Sequence, residues 1–336
     1  MGRHCGNPQQ RTANCMSRRR GRPPCTDFAK ENNALHDKAD SVRPVAEHGA
    51  DGLTWPGSHA IWGLPGTPGR APLTTVAVIL PSLFKRFTHP AKSGRYFLEQ
   101  AVASIRAQTV ANRVTFNIIV GIDEGAQVPD GLAEKLGIRF VHSNARTVTA
   151  ALNAAARQSE GDYVGFLEDD DQWHPQFLET ALSVLSEAEF VSSTQLEVTE
   201  QDEVVRIVDF PTASGWIMRR STWRTVGEFN EGYKLHHDNE WLGRLGDLKL
   251  KRAHLVEATA PVIPEIVVPV RPWLSALLTY GGPCVRLVRH GSPWPLILRL
   301  VHASSAMQQI DNNASFNAQS QYEHALLQKT FGRVPW

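Results

Sequence analysis

The stretch YVGFLEDDDQWHP, Tyr163 to Pro175, decides the reading of this chain. Its opening residues, Tyr163 to Leu167, form a short apolar run suited to a buried strand. Four carboxylates then follow without a break, Glu168, Asp169, Asp170 and Asp171, and Pro175 stands where a helix would begin. Acids packed this closely repel one another, so they need either full solvation or a cation. Acidic residues before a helix also favour its positive end, which is the plainest account of the same residues. An all-oxygen ligand set suits a hard ion such as Mg2+ or Mn2+, which in turn bridges the phosphates of a nucleotide diphosphate.

Working outward, strands and helices alternate. TTVAVILPS, Thr74 to Ser82, is a β-branched run that opens a domain. In YFLEQAVASIRAQT the residues Leu98, Val102 and Ile105 recur at helical spacing, and VTFNIIVGID returns to strand character from Val114 to Ile122. An alanine-rich helix through TAALNAAARQ stops at Gly161, just before the strand that carries the acids. Beyond Pro175, the residues Phe177, Leu178, Ala181, Leu182 and Leu185 mark one apolar helix face. EFVSSTQLEV and EVVRIVDF flank the polar turn TEQDE and read as an antiparallel hairpin. The fold expected is therefore α/β, a Rossmann-like and mainly parallel sheet with helices on both faces and a small antiparallel addition. In such sheets ligands bind beyond the carboxyl ends of the strands, which is where Glu168 to Asp171 lie.

Composition narrows the function classes. The chain has 336 residues, 42% of them hydrophobic, and a net charge of +1, so no polyanion partner such as nucleic acid is expected. Residues 1–72 are rich in Arg, Pro, Gly and Asn, with a basic cluster at Arg18, Arg19, Arg20 and Arg22, and read as a disordered leader or linker. Met16 or a position near Thr74 offers an alternative start to the protein. Residues 73–271 form the expected catalytic domain, and residues 272–336 a helical or loop-like extension. In that extension PWPLILRLVHA is apolar with Arg286, Arg289 and Arg299 nearby, and reads as a packing helix, a lid or a helix lying on a membrane surface. NNASFNAQSQ reads as loop. Cys5, Cys15, Cys25 and Cys284 show no zinc spacing and suit a reducing compartment. No apolar run is long enough to span a bilayer. A cytoplasmic protein is expected, with the C-terminal segment as the candidate for peripheral membrane contact.

The stretch LNAAARQSEGDYVGFLEDDDQWHP resembles the signature of family 2 glycosyltransferases of the GT-A fold. The elements of the resemblance are Asn153, Gly161, the apolar strand, Glu168 with Asp170 and Asp171 in a DxD-type motif, then Trp173 and Pro175. It extends from about Val76 to Arg271. VAVILPS resembles the family's opening strand, whose end, Pro81 and Ser82, is then implied to contact the nucleotide base. NIIVGIDEG resembles the strand that ends in a base-binding aspartate, here Asp123. RRSTWRTVGEFNEGYKLHHDNEWLGRL resembles the segment that carries the catalytic aspartate, here Asp238. Three positions depart from the pattern: Glu168 replaces Asp, His237 replaces Glu, and LFKR follows the first Pro-Ser.

The resemblance implies transfer of a sugar from a nucleotide-diphosphate sugar to a hydroxyl acceptor such as a glycan, with Mg2+ or Mn2+ as cofactor. Asp170 and Asp171 are the implied metal ligands; Pro81, Ser82, Asp123, Asn153, Glu168 and Asp169 the implied donor contacts. An acceptor hydroxyl needs a general base, and a carboxylate serves when its surroundings raise its pKa. Asp238 takes that part, and a single displacement would invert the anomeric centre. The competing account of Asp238 is a helix N-cap. Arg146, Lys85 and Arg86 are weaker phosphate or donor candidates, Trp173 a sugar-stacking or core residue, and His236 and His237 orienting groups for the loop or acceptor. His254, His290 and His302 are weaker candidates for an additional metal or phosphate ligand, because nothing in their spacing requires it. Two other classes remain open on the sequence: a nucleotide-sugar or glycan-binding domain without turnover, and a sugar-phosphate nucleotidyltransferase, although PSLFKRFTHP lacks the Gly-rich loop the latter carries. The absence of GxGxxG disfavours a dinucleotide oxidoreductase.

Overall fold

The structure is a computed structural model that describes residues 74–258 and 284–333. The expected leader and the expected boundary at 271/272 both lie outside the described residues. The first strand, β1 (Thr74–Ser82), is followed by helix α1 (Phe97–Arg106), β2 (Val114–Ile122), α2 (Leu132–Leu136), β3 (Arg139–His142), α3 (Val148–Arg157) and β4 (Tyr163–Phe166). Then come β5 (Gln172–Trp173), α4 (Phe177–Val184), β6 (Phe190–Ser193), β7 (Gln195–Val198), β8 (Val204–Val208), β9 (Trp216–Arg219), α5 (Arg220–Val226), α6 (His237–Asp247) and β10 (Arg252–Val256). β11 (Val285–Arg289), β12 (Ile297–Leu300), α7 (Ala306–Asn312) and α8 (Ala314–Phe331) complete the described chain.

An eight-stranded sheet runs in the order β11-β10-β6-β9-β4-β1-β2-β3. All its pairs are parallel except those of β9, which runs against both β4 and β6. Period-2 alternation along β1 sends Val76, Val78 and Leu80 to one face, among Leu98, Val102 and Ile105 of α1 and Leu178 of α4. Ala77 and Ile79 face the other way, among Leu152 and Ala155 of α3, Trp223 of α5 and Trp241 of α6. Helices therefore cover both faces, as a hydrophobic parallel sheet requires.

The second sheet has four strands in the order β5-β12-β7-β8. It begins where β6 ends: EFVSSTQLEV is broken at Thr194, with β6 in the large sheet and β7 in the small one. β7 and β8 form the expected antiparallel hairpin around TEQDE. The C-terminal segment corrects the sequence reading. The run PWPLILRLVHA, read as a lid, a packing helix or a membrane-surface helix, instead contains β12, a strand inserted between β5 and β7. In it Ile297, Leu298 and Leu300 are buried and Arg299 is half-buried between them. NNASFNAQSQ, read as loop, opens α8: the Asn313 side chain accepts from the backbone N–H of Ser315 at 2.9 Å, capping the helix. That helix buries only a narrow stripe, so its sequence shows no broad apolar face. Among the described residues, no helix is long and apolar enough to cross a membrane.

Two glycines set the spacing between layers. A Cβ on Gly121 of β2 would stand 2.0 Å from the carbonyl oxygen of Ala151, so its absence lets α3 lie against the strand. A Cβ on Gly165 of β4 would meet Ile217 Cδ1 at 2.4 Å and the Trp173 ring at 3.1 Å. Because the clash at Gly121 is with backbone, Gly121→Ala is expected to destabilise the chain by about 3 kcal/mol or more, read as a lower urea midpoint. A midpoint within error of wild type would show that α3 is free to retreat.

Candidate active site

β4 delivers the acids to the carboxyl edge of the large sheet. Leu167 N–H still pairs with the Ile79 carbonyl at 3.1 Å, and Asp171 N–H then donates to the Glu168 carbonyl at 3.1 Å, closing a turn. The turn is fastened from three other elements. Ser214 Oγ accepts from Glu168 N–H at 3.0 Å and donates to Asp171 Oδ2 at 2.5 Å. Leu300 N–H, at the end of β12, donates to Asp171 Oδ1 at 3.2 Å. Ser82 Oγ, at the end of β1, donates to Asp169 Oδ2 at 2.5 Å and accepts from Phe84 N–H at 3.1 Å.

The four acids thus differ in availability. Asp171 is buried with both oxygens engaged, and Asp169 is tied to β1. Asp170 has one oxygen, Oδ2, at 2.9 Å from His302 Nε2. Among the described residues, Glu168 is hydrogen-bonded only through its backbone, its N–H to Ser214 and its carbonyl from Asp171. Oxygens of Glu168, Asp170 and Asp171 all lie within 4.8 Å of one another, a separation that one hard cation can bridge.

Charge in this small volume is expensive. Burial, and then the neighbouring Asp170, push the Glu168 carboxyl up to about 7, and Asp238 adds to the effect. Burial and Asp170 likewise raise Asp169 to about 7, against the Ser82 hydrogen bond and the charges of Lys85 and His302. Asp171 is raised well above the usual carboxylate range by the same causes. Opposite stands Arg299 of β12, whose Nη1 is 3.2 Å from Glu197 Oε1. Burial opposes its charge, yet Asp171, Glu168 and Glu197 hold its guanidinium above the ordinary value. A divalent cation fits this donor set: the carboxylates carry more negative charge than Arg299 offsets, and Glu168 and Asp170 keep oxygens free to take it.

Asp238, distant in sequence, approaches the cluster closely enough for its charge to act on Glu168. It is not the helix cap that the alternative reading proposed. His236 is the N-cap of α6, and Asp238 is the second helical residue, its Oδ1 accepting from Asn239 N–H at 2.7 Å. Asp123 follows β2 on the same edge, raised by burial against the nearby Arg146. β2 is the strand beside β1, so Asp123 stands ~10 Å across the edge from the acids. Pro81 pairs with Gly121 in the β1–β2 register and is half-buried.

Other expected residues have different employment. The Asn153 amide accepts from Phe229 N–H at 2.9 Å and donates to the Phe229 carbonyl at 2.9 Å and to Glu231 Oε1 at 3.1 Å, so it clamps the 229–231 loop onto α3. Trp173 is core, its Nε1–H donating to the Ser214 carbonyl at 2.7 Å. Lys85 Nζ donates to the Ser304 carbonyl at 3.2 Å, and the Arg86 guanidinium lies 4.1 Å from the Tyr96 ring centre. His254 is buried in β10, with Nδ1 2.8 Å from Ser192 Oγ. Of the three histidines weighed from the sequence, His302 is the one that reaches the acids, and its Nδ1 is held 2.9 Å from Ser304 Oγ. Arg299 and Ser214 were not anticipated. Only a lone charge inside the apolar run LILRLV hints at the first, and nothing local marks the second.

The carboxyl edge of the mainly parallel sheet thus gathers the acid turn, with Asp238 near enough for its charge to act on Glu168. Residues 90–238 match the model of Glycosyl transferase family 2. The matched segment includes the acid turn and closes on Asp238. No curated protein sequence matches the chain. Among solved structures, it is similar to S. aureus TarS residues 1–349 in complex with UDP, with 13% identity over 77% of this chain and 72% of that one, at a TM-score of 0.45. It is also similar to the mannosyltransferase PcManGT from Pyrobaculum calidifontis in complex with GDP-Man and Mn2+, with 16% identity over 53% of each chain, at a TM-score of 0.39.

The unequal roles of the acids make a direct test. In chelator, Asp171→Ala should cost about 1–3 kcal/mol because Ser214 and Leu300 lose their acceptor. Glu168→Gln should instead stabilise at alkaline pH. The folded-state pKa of Glu168 is raised to about 7, so the wild type loses stability as pH rises from its unfolded value toward 7. The advantage of the Gln variant should reach on the order of 1–3 kcal/mol above pH ~8 and vanish below pH ~4. Thermal melts of both variants across that range check the assignment; destabilisation by Glu168→Gln at high pH would overturn it.

Proposed function

We propose that this chain transfers a sugar from a nucleotide-diphosphate sugar to an acceptor hydroxyl in a single, inverting displacement, with Asp238 as general base and a divalent cation at the acid turn. The observation that carries the proposal is the acid turn itself, where oxygens of Glu168, Asp170 and Asp171 lie within 4.8 Å of one another, with the half-buried Asp238 near enough for its charge to raise the Glu168 carboxyl. The acceptor oxygen attacks the anomeric carbon, its proton passes to the Asp238 carboxylate, and the bond from that carbon to the diphosphate oxygen breaks with its electron pair leaving on the nucleotide. Glu168 and Asp170 would hold Mg2+ or Mn2+, with Asp171 and Asp169 fixing the turn that aims them. Bound there, the cation supplies Lewis-acid stabilisation of the departing diphosphate. Pro81, Ser82 and Asp123 lie along the strand ends where the nucleoside would bind. A cytoplasmic location and a glycan or other hydroxyl acceptor belong to the same reading.

Thermal stability with UDP, GDP, ADP and dTDP, each with and without Mn2+, tests it. One nucleotide should raise the melting temperature in a metal-dependent way, by an amount that grows with the logarithm of its concentration. Asp170→Asn should abolish that rise. Asp238→Asn should keep it while lowering the transfer rate about 100-fold or more, the range expected for loss of a general base. Transfer at the wild-type rate by Asp238→Asn would refute the base, and metal-independent binding would refute the cation site.

A further inference from the structure

α8 lies far along the sequence from every family motif, yet it is bonded to the segment that presents Asp238. It buries one stripe, Ser320, Glu323 and Leu327. Near its C-terminal end Phe331 fills the space over α6, where a Cβ on Gly243 would stand 2.6 Å from the ring. Glu323 has no solvent exposure. Its Oε1 accepts from Lys234 N–H at 2.8 Å, and its Oε2 from Leu235 N–H at 3.0 Å and His236 N–H at 2.8 Å. Gln319 Nε2 donates to the same carboxylate at 2.7 Å. His236, so held, is also fixed by its side chain: Nε2 lies 2.8 Å from Ser320 Oγ, and its ring stacks on His324 at 4.1 Å.

Successive backbone N–H groups converging on one carboxylate form a stiff, oriented turn, because each charge-assisted bond fixes one peptide plane. Burial opposes the Glu323 charge, but the bonds from Gln319, Lys234, His236 and Leu235 more than offset it and hold the carboxyl below its ordinary value. The turn they fix ends at the N-cap of α6, two residues before Asp238. The pitch of the helix then sets where that carboxylate points.

We propose that Glu323 is a positioning residue for Asp238: by binding the backbone N–H groups of Lys234, Leu235 and His236, it sets the angle at which α6 presents the base to the acceptor. The inference rests on the reading of Asp238 as the base. It makes α8 part of the catalytic apparatus rather than a trailing appendage.

The test compares Glu323→Gln, Glu323→Ala and Asp238→Asn with wild type in the full chain. Hydrolysis of UDP-GlcNAc and of GDP-mannose with Mn2+ gives kcat and KM without a known acceptor. Amide hydrogen exchange over residues 230–240 reads the turn itself. Glu323→Gln should lower kcat about tenfold or more, as misplacement of a reacting group does. Its KM for the nucleotide sugar should stay within about twofold, because donor binding is untouched. Exchange at Lys234 to His236 should accelerate. Wild-type kcat in both Glu323 variants would overturn the proposal, as would a loss of kcat that merely tracks a fall in melting temperature and in nucleotide–Mn2+ binding. Unchanged exchange in Glu323→Ala overturns it whether or not either sugar is turned over. Asp238→Asn separates the two readings. If it stays active, the base assignment fails; if it is inactive while Glu323→Gln is fully active, only the positioning role fails.

Discussion

Mutual repulsion among the carboxylates that follow β4 is the constraint to which the surrounding structure answers. Two like charges ~4 Å apart at an effective dielectric of about 20 repel by roughly 4 kcal/mol. A single hydrogen bond to a carboxylate returns about 1.5–3 kcal/mol. The hydroxyls of Ser82 and Ser214, the N–H of Leu300, the guanidinium of Arg299 and the imidazole of His302 each offset part of the cost. Burial and the balance of repulsion that remains raise Glu168 and Asp169 to about 7 and hold Asp171 well above the usual carboxylate range. A site left with uncompensated negative charge and free oxygens is prepared for a cation and the phosphates that accompany it.

The same physics, applied to ordinary loops, holds the rest of the edge in place. Glu200 accepts from Thr88 N–H at 2.7 Å and His89 N–H at 2.8 Å, pinning the long connection between β1 and α1 to the small sheet. Glu323 does the equivalent for the connection that leads into α6. In both cases a carboxylate distant in sequence substitutes for the strand or helix partners that a loop lacks. The small sheet and α8 therefore each support one connection of the edge, through Glu200 and Glu323.

What the sequence disclosed, and what it hid, follows from the range of the interactions. β1, α1, β2, α3 and the strand before the acids were readable because each carries its own periodicity, and the acid turn because four adjacent carboxylates need an explanation wherever they occur. α2 and β3 went unread, being short elements at the edge of the sheet. β12 was mistaken for a helix because six apolar or basic residues in a row fit either period, and only its neighbours β5 and β7 decide between them. Asn153 matched a family motif, yet the structure spends its amide on Phe229. Arg299 and Glu323 were not legible as site residues, and His302 was only one of three weak candidates, since their meaning lies in partners that the chain reaches more than eighty positions earlier.

That last fact has a bearing on how the molecule forms. Asp171 is bonded to Leu300 across 129 positions, and β12 completes the small sheet by slipping between strands made much earlier. Contacts of such sequence separation close late and slowly, because the loop entropy must be paid before they reward it. During synthesis the large sheet can take shape while its acid turn still lacks Arg299, His302 and the Leu300 amide, so the most highly charged place in the fold is the last to be neutralised. A nascent chain halted before β12 would display that turn to solvent without Arg299 and His302 to oppose its charge, so a divalent ion present at that moment would assist the folding of the protein.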